Sequence, residues 1–154
     1  MGVSRAEFLA EVRSARDALR QELAGRDKRS LSEATIPGSE WTARDVLAHL
    51  IGYDRAILGA IEDVRAGRTP VWGWTTFKSF DPWNAMAVEP RRKIPFATVL
   101  AELQASGAAL LKELETWPDD AGPFGPDTWD PKKSAIGWLG HHEREHTEAI
   151  ATLG

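Results

Sequence analysis

The sequence contains, near its carboxyl end, the stretch Trp138-Leu139-Gly140-His141-His142-Glu143-Arg144-Glu145-His146-Thr147-Glu148-Ala149-Ile150. Residues four apart share one face of a helix, so His142 and His146 can offer imidazole nitrogens to one metal ion. The same face continues through the apolar residues Leu139, Ala149 and Leu153. We therefore expect both histidines on the buried stripe of a helix, where a metal ion would satisfy their polar nitrogens.

Length and composition limit the class of protein. A chain of 154 residues with 42% hydrophobic composition predicts one domain that spans residues 1–154. The net charge of -4 provides no basic surplus, so we predict no nucleic-acid partner. Because cysteine is absent, a metal site must use histidine and carboxylate, and thiol chemistry must use an external thiol. Without a long apolar run or a signal-peptide pattern, we expect a cytoplasmic protein and no membrane partner.

Apolar periodicity predicts four long helices. Capping residues or a first-turn proline mark their starts, at Ser4, Thr42, Pro95 and Ser134. Glycine or proline ends the first three helices, at Gly25, Gly67 and Pro118. No alternating run of β-branched residues indicates a strand. The predicted fold is all-α, a four-helix bundle with a long aromatic-rich connection between helices two and three.

The long connection, residues 68–94, is rich in aromatic side chains. They are Trp72, Trp74, Phe77, Phe80 and Trp83. Asp81 followed by Pro82 predicts a short helix within it. Aromatic side chains carry large apolar surfaces, so these residues either cover one end of the core or form the wall of a ligand pocket. The residues that we predict to contact substrate are Tyr53, Trp83, Asn84 and Trp138.

A third histidine, His49, lies on or beside the apolar stripe of helix two. Helices two and four can face one another in a bundle, which would bring His49 to His142 and His146. Three imidazoles without a fourth protein ligand form an open metal site, the arrangement of a catalytic ion. Two structural explanations compete with this one: a satisfied core histidine at position 49, and a charged, solvated face around residues 143–145.

Nearby carboxylates are candidates for a general base or for partners that orient the imidazoles. Asp54 lies about one helical turn beyond His49, and Glu145 flanks the histidine pair; these two are the predicted catalytic residues. Glu143 is expected to point away from the apolar stripe, because its helical angle differs from that of His142.

Two motifs resemble those of the DinB-like superfamily, which includes mycothiol-dependent maleylpyruvate isomerases and bacillithiol transferases. The first is Trp41-Thr42-Ala43-Arg44-Asp45-Val46-Leu47-Ala48-His49-Leu50 with Tyr53 and Asp54 after it, and the second is His142-Glu143-Arg144-Glu145-His146. The resemblance implies a four-helix bundle whose metal, zinc or nickel in several members, is held by His49, His142 and His146. It also implies a low-molecular-weight thiol cosubstrate and a homodimer. Residues 38–49 and the Trp83-Asn84 pair are similar to the colibactin self-resistance branch of this fold.

The expected function is that of a metal-dependent enzyme. It would activate a low-molecular-weight thiol or water for attack on an electrophilic small molecule, as an S-transferase with a role in stress or detoxification. Two alternatives stay open: a metal-dependent hydrolase with the same site, and a non-catalytic dimeric protein that binds a small molecule. His142-Glu143-x-x-His146 also matches a metallopeptidase pattern, but such enzymes pair that helix with a sheet edge, and no sheet is predicted here.

Overall fold

The computed structural model describes residues 2–72 and 80–154. Within these residues the α-helices are α1 (Arg5–Ala24), α2 (Lys28–Glu33), α3 (Ala43–Arg65), α4 (Phe80–Val88), α5 (Phe96–Leu114) and α6 (Leu139–Ala151). A 3-10 turn, Glu89–Arg91, follows α4. Over the same two ranges there is no β-strand, only two isolated bridge pairs, and no helix long and apolar enough to cross a membrane. The prediction of an all-α fold is confirmed.

The four long helices form the predicted bundle. Helix α1 packs along α6, α3 packs along α5, and the short helix α4 lies against α3. Apolar side chains from the long helices fill the space between them, with Leu47, Leu50, Ile57 and Leu110 among those that have no more than 1% of their surface exposed. The histidines of the predicted site lie on α3 and α6 and therefore face each other across the bundle. Trp74 and Phe77 of the aromatic connection lie outside the described residues.

Side-chain caps explain where the first and third helices begin. Ser4 Oγ accepts a hydrogen bond from the Glu7 amide (3.1 Å), and the Glu7 carboxylate accepts one from the Ser4 amide (3.0 Å). Thr42 and Asp45 form the same reciprocal pair ahead of α3. Each capping box satisfies amide groups that have no partner in the first turn of a helix. Both predicted starts are confirmed.

Helices α2 and α6 differ from the prediction, and α5 ends at Leu114, four residues before Pro118. Helix α6 begins at Leu139 rather than at Ser134, because the Ser134 hydroxyl accepts hydrogen bonds from the amides of Ile136 and Gly137 and so closes a turn. The short helix α2 is not among the four predicted helices. Asp27 caps it by accepting a hydrogen bond from the Ser30 amide at 3.1 Å.

Candidate metal centre

Three imidazole rings meet between α3 and α6. The Nε2 atom of His142 lies 3.0 Å from Nε2 of His49 and 3.0 Å from Nε2 of His146. A set of one ligand nitrogen from each ring lies within 4.8 Å of one another. Histidine nitrogens bind a divalent metal ion at about 2.0–2.1 Å, which places two such nitrogens roughly 3.0–3.4 Å apart. The two nitrogen pairs that include His142 therefore have the spacing of ligands on one metal ion.

The histidine from α3 is oriented by α4. His49 Nδ1 lies 2.9 Å from Asn84 Oδ1. An amide oxygen can only accept a hydrogen bond, so Nδ1 donates and the Nε2 lone pair faces the other two rings. Metal-binding histidines commonly use their second nitrogen in this way. Asn84 was predicted to contact substrate, and the structure places it behind the ring of His49.

Burial keeps all three rings uncharged at neutral pH. Loss of solvation lowers the pKa of His49 to about 4, that of His142 to about 3 and that of His146 to about 4. The mutual repulsion of the rings adds to the effect at His49 and His142. A histidine must be neutral to bind a metal ion, so the rings fit a divalent ion without any proton first being removed.

Aromatic rings surround the histidines. The Trp138 ring stacks on His142 with centroids 4.8 Å apart, and the Tyr53 ring lies 4.7 Å from the same imidazole. Trp41 lies 5.1 Å from the ring of His49. Tyr53 and Trp138 were predicted as substrate contacts, whereas Trp41 was quoted in a motif without an assigned role. Trp41 directly precedes Thr42, the residue that caps α3, and this position places its ring beside the site.

Trp83 completes this wall from α4. Its ring lies 6.0 Å from that of Tyr53, nearly perpendicular to it. Burial raises the pKa of Tyr53 above its usual value, and its phenol keeps its proton at neutral pH. The wall next to the metal-binding atoms is therefore aromatic and uncharged.

A second polar cluster lies beside the histidines and joins all four long helices. Arg16 Nη2 of α1 lies 2.7 Å from Asp54 Oδ1 of α3 and 2.6 Å from Glu143 Oε1 of α6. Ser106 of α5 donates a hydrogen bond to Asp54 Oδ2 at 2.8 Å. Both carboxylate side chains are only 1% exposed, and that of Arg16 is 18% exposed. These residues are called the Arg16 cluster below.

The position of Glu143 differs from the prediction. It was expected to point away from the buried stripe, yet it is buried and paired with Arg16. The reason is that α6 buries two faces: the histidines face α3, and Glu143 faces α1. Burial raises the pKa of Glu143 to about 7, although the nearby Arg16 opposes this shift.

The two predicted catalytic carboxylates lie in different surroundings. Asp54 is fully buried and is bound by Arg16 and Ser106. Glu145 is exposed on α6. Sequence reasoning missed Arg16 and Ser106. A signal for Arg16 was present, since it lies four residues after Val12 and three before Leu19 on the apolar stripe of α1.

Comparisons with known proteins identify a family and two structures of similar fold. The family model of the mycothiol maleylpyruvate isomerase N-terminal domain matches residues 5–147. The chain belongs to this family. A search of curated protein sequences finds no match. The prediction of a DinB-like protein is confirmed, and the family relates the chain to thiol-dependent enzymes.

Two solved structures share the fold. The colibactin self-resistance protein ClbS, in complex with double-stranded DNA, is 13% identical and has a TM-score of 0.78, with 99% of this chain and 96% of that chain covered. The sibling lethal factor precursor DfsB is 14% identical and has a TM-score of 0.74, with 98% and 95% covered. The expected similarity to the colibactin self-resistance branch is thus confirmed at the level of fold.

The prediction that the protein has no nucleic-acid partner is wrong. It was based on the net charge of -4, but a protein with this fold holds double-stranded DNA. Net charge sums over the whole chain, whereas contact with phosphates depends on how the basic side chains are distributed over one surface. Net charge therefore does not exclude such a partner here.

Proposed function

We propose that the protein is a metal-dependent enzyme that activates a low-molecular-weight thiol or water for attack on an electrophilic small molecule. The observation that carries this proposal is the convergence of three neutral Nε2 atoms from His49, His142 and His146. Membership of the mycothiol maleylpyruvate isomerase family supports a thiol as the cosubstrate. Three protein ligands leave a coordination position for that cosubstrate.

The histidines would hold the ion, and their surroundings would prepare the site. A divalent ion held there, zinc or nickel, supplies Lewis acidity that lowers the pKa of a thiol or water. Asn84 fixes the ring of His49 through Nδ1. Tyr53 and Trp138 limit the access of water to the ring of His142, and with Trp83 they present an apolar surface to the substrate.

The two carboxylates are proposed to have different roles. Asp54 is held by Arg16 and Ser106, so we propose that it acts on the site through these contacts. Glu145 is exposed beside His146, and we propose it as the general base that takes the proton of the thiol or water. We also propose that the protein functions as a homodimer, as the DinB-like resemblance implies.

Elemental analysis of protein purified without a chelating tag tests the site. We expect about one divalent ion per chain in the wild type and none in His49→Ala or His142→Ala. Absence of metal after incubation with zinc or nickel would contradict the proposal. It would then favour the alternative of a non-catalytic protein that binds a small molecule.

Turnover assays distinguish the two cosubstrates. Strict dependence on an added low-molecular-weight thiol supports the S-transferase, whereas turnover in water alone supports the hydrolase that uses the same residues. The Glu145→Gln variant should retain its metal and lose most of its turnover. Because ClbS holds double-stranded DNA, a duplex belongs among the ligands tested for binding.

A further inference from the structure

The two helices that carry the histidines are joined by a side chain that belongs to neither of them. His49 lies on α3, and His142 and His146 lie on α6. Arg16 of α1 lies between these helices and is paired with one carboxylate from each, Asp54 and Glu143. One guanidinium from a third helix therefore contacts both α3 and α6.

The pairing lies close to the ligand nitrogens along the chain. Glu143 directly follows His142, and Asp54 comes five residues after His49, about 7.5 Å along the helix axis. A displacement of either carboxylate moves a helical turn that carries an imidazole. Metal binding is sensitive to such displacements, because ligand distances are fixed to within about 0.2 Å.

The neighbouring helices are shaped around Arg16. At Gly107 of α5 a Cβ atom would overlap the guanidinium, so only glycine at this position leaves the guanidinium its present place. Ser106, the residue before it, donates a hydrogen bond to Asp54 at 2.8 Å and fixes the second carboxylate oxygen. Residues from all four long helices thus hold the Arg16 cluster in place.

Other contacts between α1 and α6 do not reach α3. Arg144 pairs with Glu11 at 2.6 Å near the surface. Arg26, just after α1, donates a hydrogen bond to the Ala151 carbonyl at 2.9 Å, beyond the histidines. These contacts attach α6 to α1, and Arg16 differs from them in also holding α3.

We propose that Arg16 is a positioning residue for the three-histidine centre, which it holds in register by binding Asp54 of α3 and Glu143 of α6 together. This inference rests on the proposed metal site. It adds that the affinity and geometry of that site depend on a residue that contacts neither metal nor substrate.

The Arg16→Met variant tests the proposal with Co²⁺ as a spectroscopic probe and Zn²⁺ in competition with a chelator. We expect helical circular dichroism like that of the wild type at low temperature. Metal affinity should fall at least tenfold, and the visible Co²⁺ bands should shift. Arg16→Lys should recover part of the affinity, since lysine restores the positive charge but cannot contact both carboxylates as the planar guanidinium does. The matched control Arg26→Met removes another α1–α6 contact and should bind metal like the wild type.

A merely structural role for Arg16 predicts a different result. Folded Arg16→Met would then melt at a lower temperature but bind Co²⁺ with the affinity and spectrum of the wild type, which would overturn the proposal. If Arg16→Met does not fold, the triple variant R16M/D54N/E143Q removes all three charges together. This variant should fold with weakened metal binding, and wild-type binding by it would also overturn the proposal.

The same titrations distinguish this inference from the metal site itself. If the wild type binds Co²⁺, His142→Ala does not, and the folded Arg16 variants bind like the wild type, the metal site stands and the role of Arg16 fails. If the wild type binds neither Co²⁺ nor Zn²⁺, the metal site fails and the role of Arg16 fails with it.

Discussion

The bundle contains two buried polar clusters that differ in how their groups are paired. In the Arg16 cluster a cation lies between two carboxyl groups, those of Asp54 and Glu143, and Ser106 adds a hydrogen bond. In the histidine cluster three uncharged rings point the same kind of atom, Nε2, toward one another. The chain thus supplies opposite charges to the first cluster and none to the second.

This difference indicates which cluster needs a partner from outside the chain. Buried polar groups are costly unless they are paired. Nothing within residues 2–72 and 80–154 hydrogen-bonds to Nδ1 of His142, and its Nε2 atom meets only other imidazole nitrogens. The Glu143 oxygens also lack a hydrogen bond of good geometry in these ranges, but the Arg16 guanidinium lies 2.6 Å from Oε1 and compensates the charge of that carboxylate. The three Nε2 atoms have no such cation beside them, and a metal ion would pair all three at once.

The largest effect is expected from breaking the charged cluster. Arg16→Met leaves two carboxylates that are 1% exposed without their cation, and removal of one partner from a buried pair costs about 3–5 kcal/mol of unfolding free energy. Urea denaturation at pH 7 measures this loss. Arg20→Met is the control, since Arg20 is 65% exposed and its pair with Asp17 should contribute only about 0–1 kcal/mol. If Arg16→Met loses as little unfolding free energy as Arg20→Met, the two carboxylates are protonated or hydrated.

Metal binding to the histidine cluster should cause the next largest change in stability. A ligand that binds only the folded state at 100 times its Kd stabilises that state by about 2.7 kcal/mol. Zinc or nickel at such an excess should therefore raise the melting temperature of metal-free protein. His142→Ala, compared with its own metal-free form, should show no rise. An equal rise in that variant would place the metal elsewhere.

The two clusters should respond to pH in opposite directions. The pKa of His49 in the folded state is about 4, below the value of about 6.5 in the unfolded chain. The stability that a neutral buried histidine contributes is present above pH 6.5 and is lost as the pH falls toward 4. The pKa of Glu143 is raised from 4.5 to about 7, so the stability that this group contributes is present below pH 4.5 and is lost as the pH rises to 7.

On unfolding below pH 6.5 the three histidines take up protons, whereas Glu143 and Asp54, whose pKa values are raised in the folded state, release them. Because there are three histidines and two carboxyl groups, uptake exceeds release. A net uptake of one proton on unfolding corresponds to about 1.4 kcal/mol per pH unit. Metal-free protein should thus lose about 2 kcal/mol between pH 6.5 and 5, measured by urea denaturation at each pH. The variant His142→Ala should flatten this profile, because two histidines then oppose two carboxyl groups. A wild-type profile that is already flat would mean that water reaches the rings.

The features of the fold and of the two clusters that the sequence predicted are local ones. Capping boxes at Ser4 and Thr42 fixed the starts of two helices, and the four-residue spacing placed His142 and His146 on one face. These patterns depend on neighbours within one turn of helix. The bundle then followed from amphipathic stripes on long helices.

The parts that were missed depend on residues that are distant in sequence. Glu143 was assigned outward because one apolar stripe was considered, but α6 also packs against α1 and buries a second face. Arg16 and Asp54 are 38 residues apart, and no pattern in either helix pairs them. The start of α6 was missed because the turn closed by Ser134 looks like a cap in sequence.

The smallest expected effect concerns a hydrogen bond that connects the histidine cluster to the rest of the chain. Asn84→Ala removes the acceptor for His49 Nδ1 and leaves the ring free to turn, while every metal-binding nitrogen stays present. Loss of such a partner typically weakens metal affinity 10- to 100-fold, so we expect about 10-fold, or about 1.4 kcal/mol. Competition with a chelator measures this change in affinity.

Asn84→Asp keeps an acceptor oxygen and should bind as tightly as the wild type or more tightly. If Asn84→Ala also binds like the wild type, packing against Trp41 and Tyr53 is enough to orient the ring, and the histidine cluster depends less on its neighbours than the Arg16 cluster does.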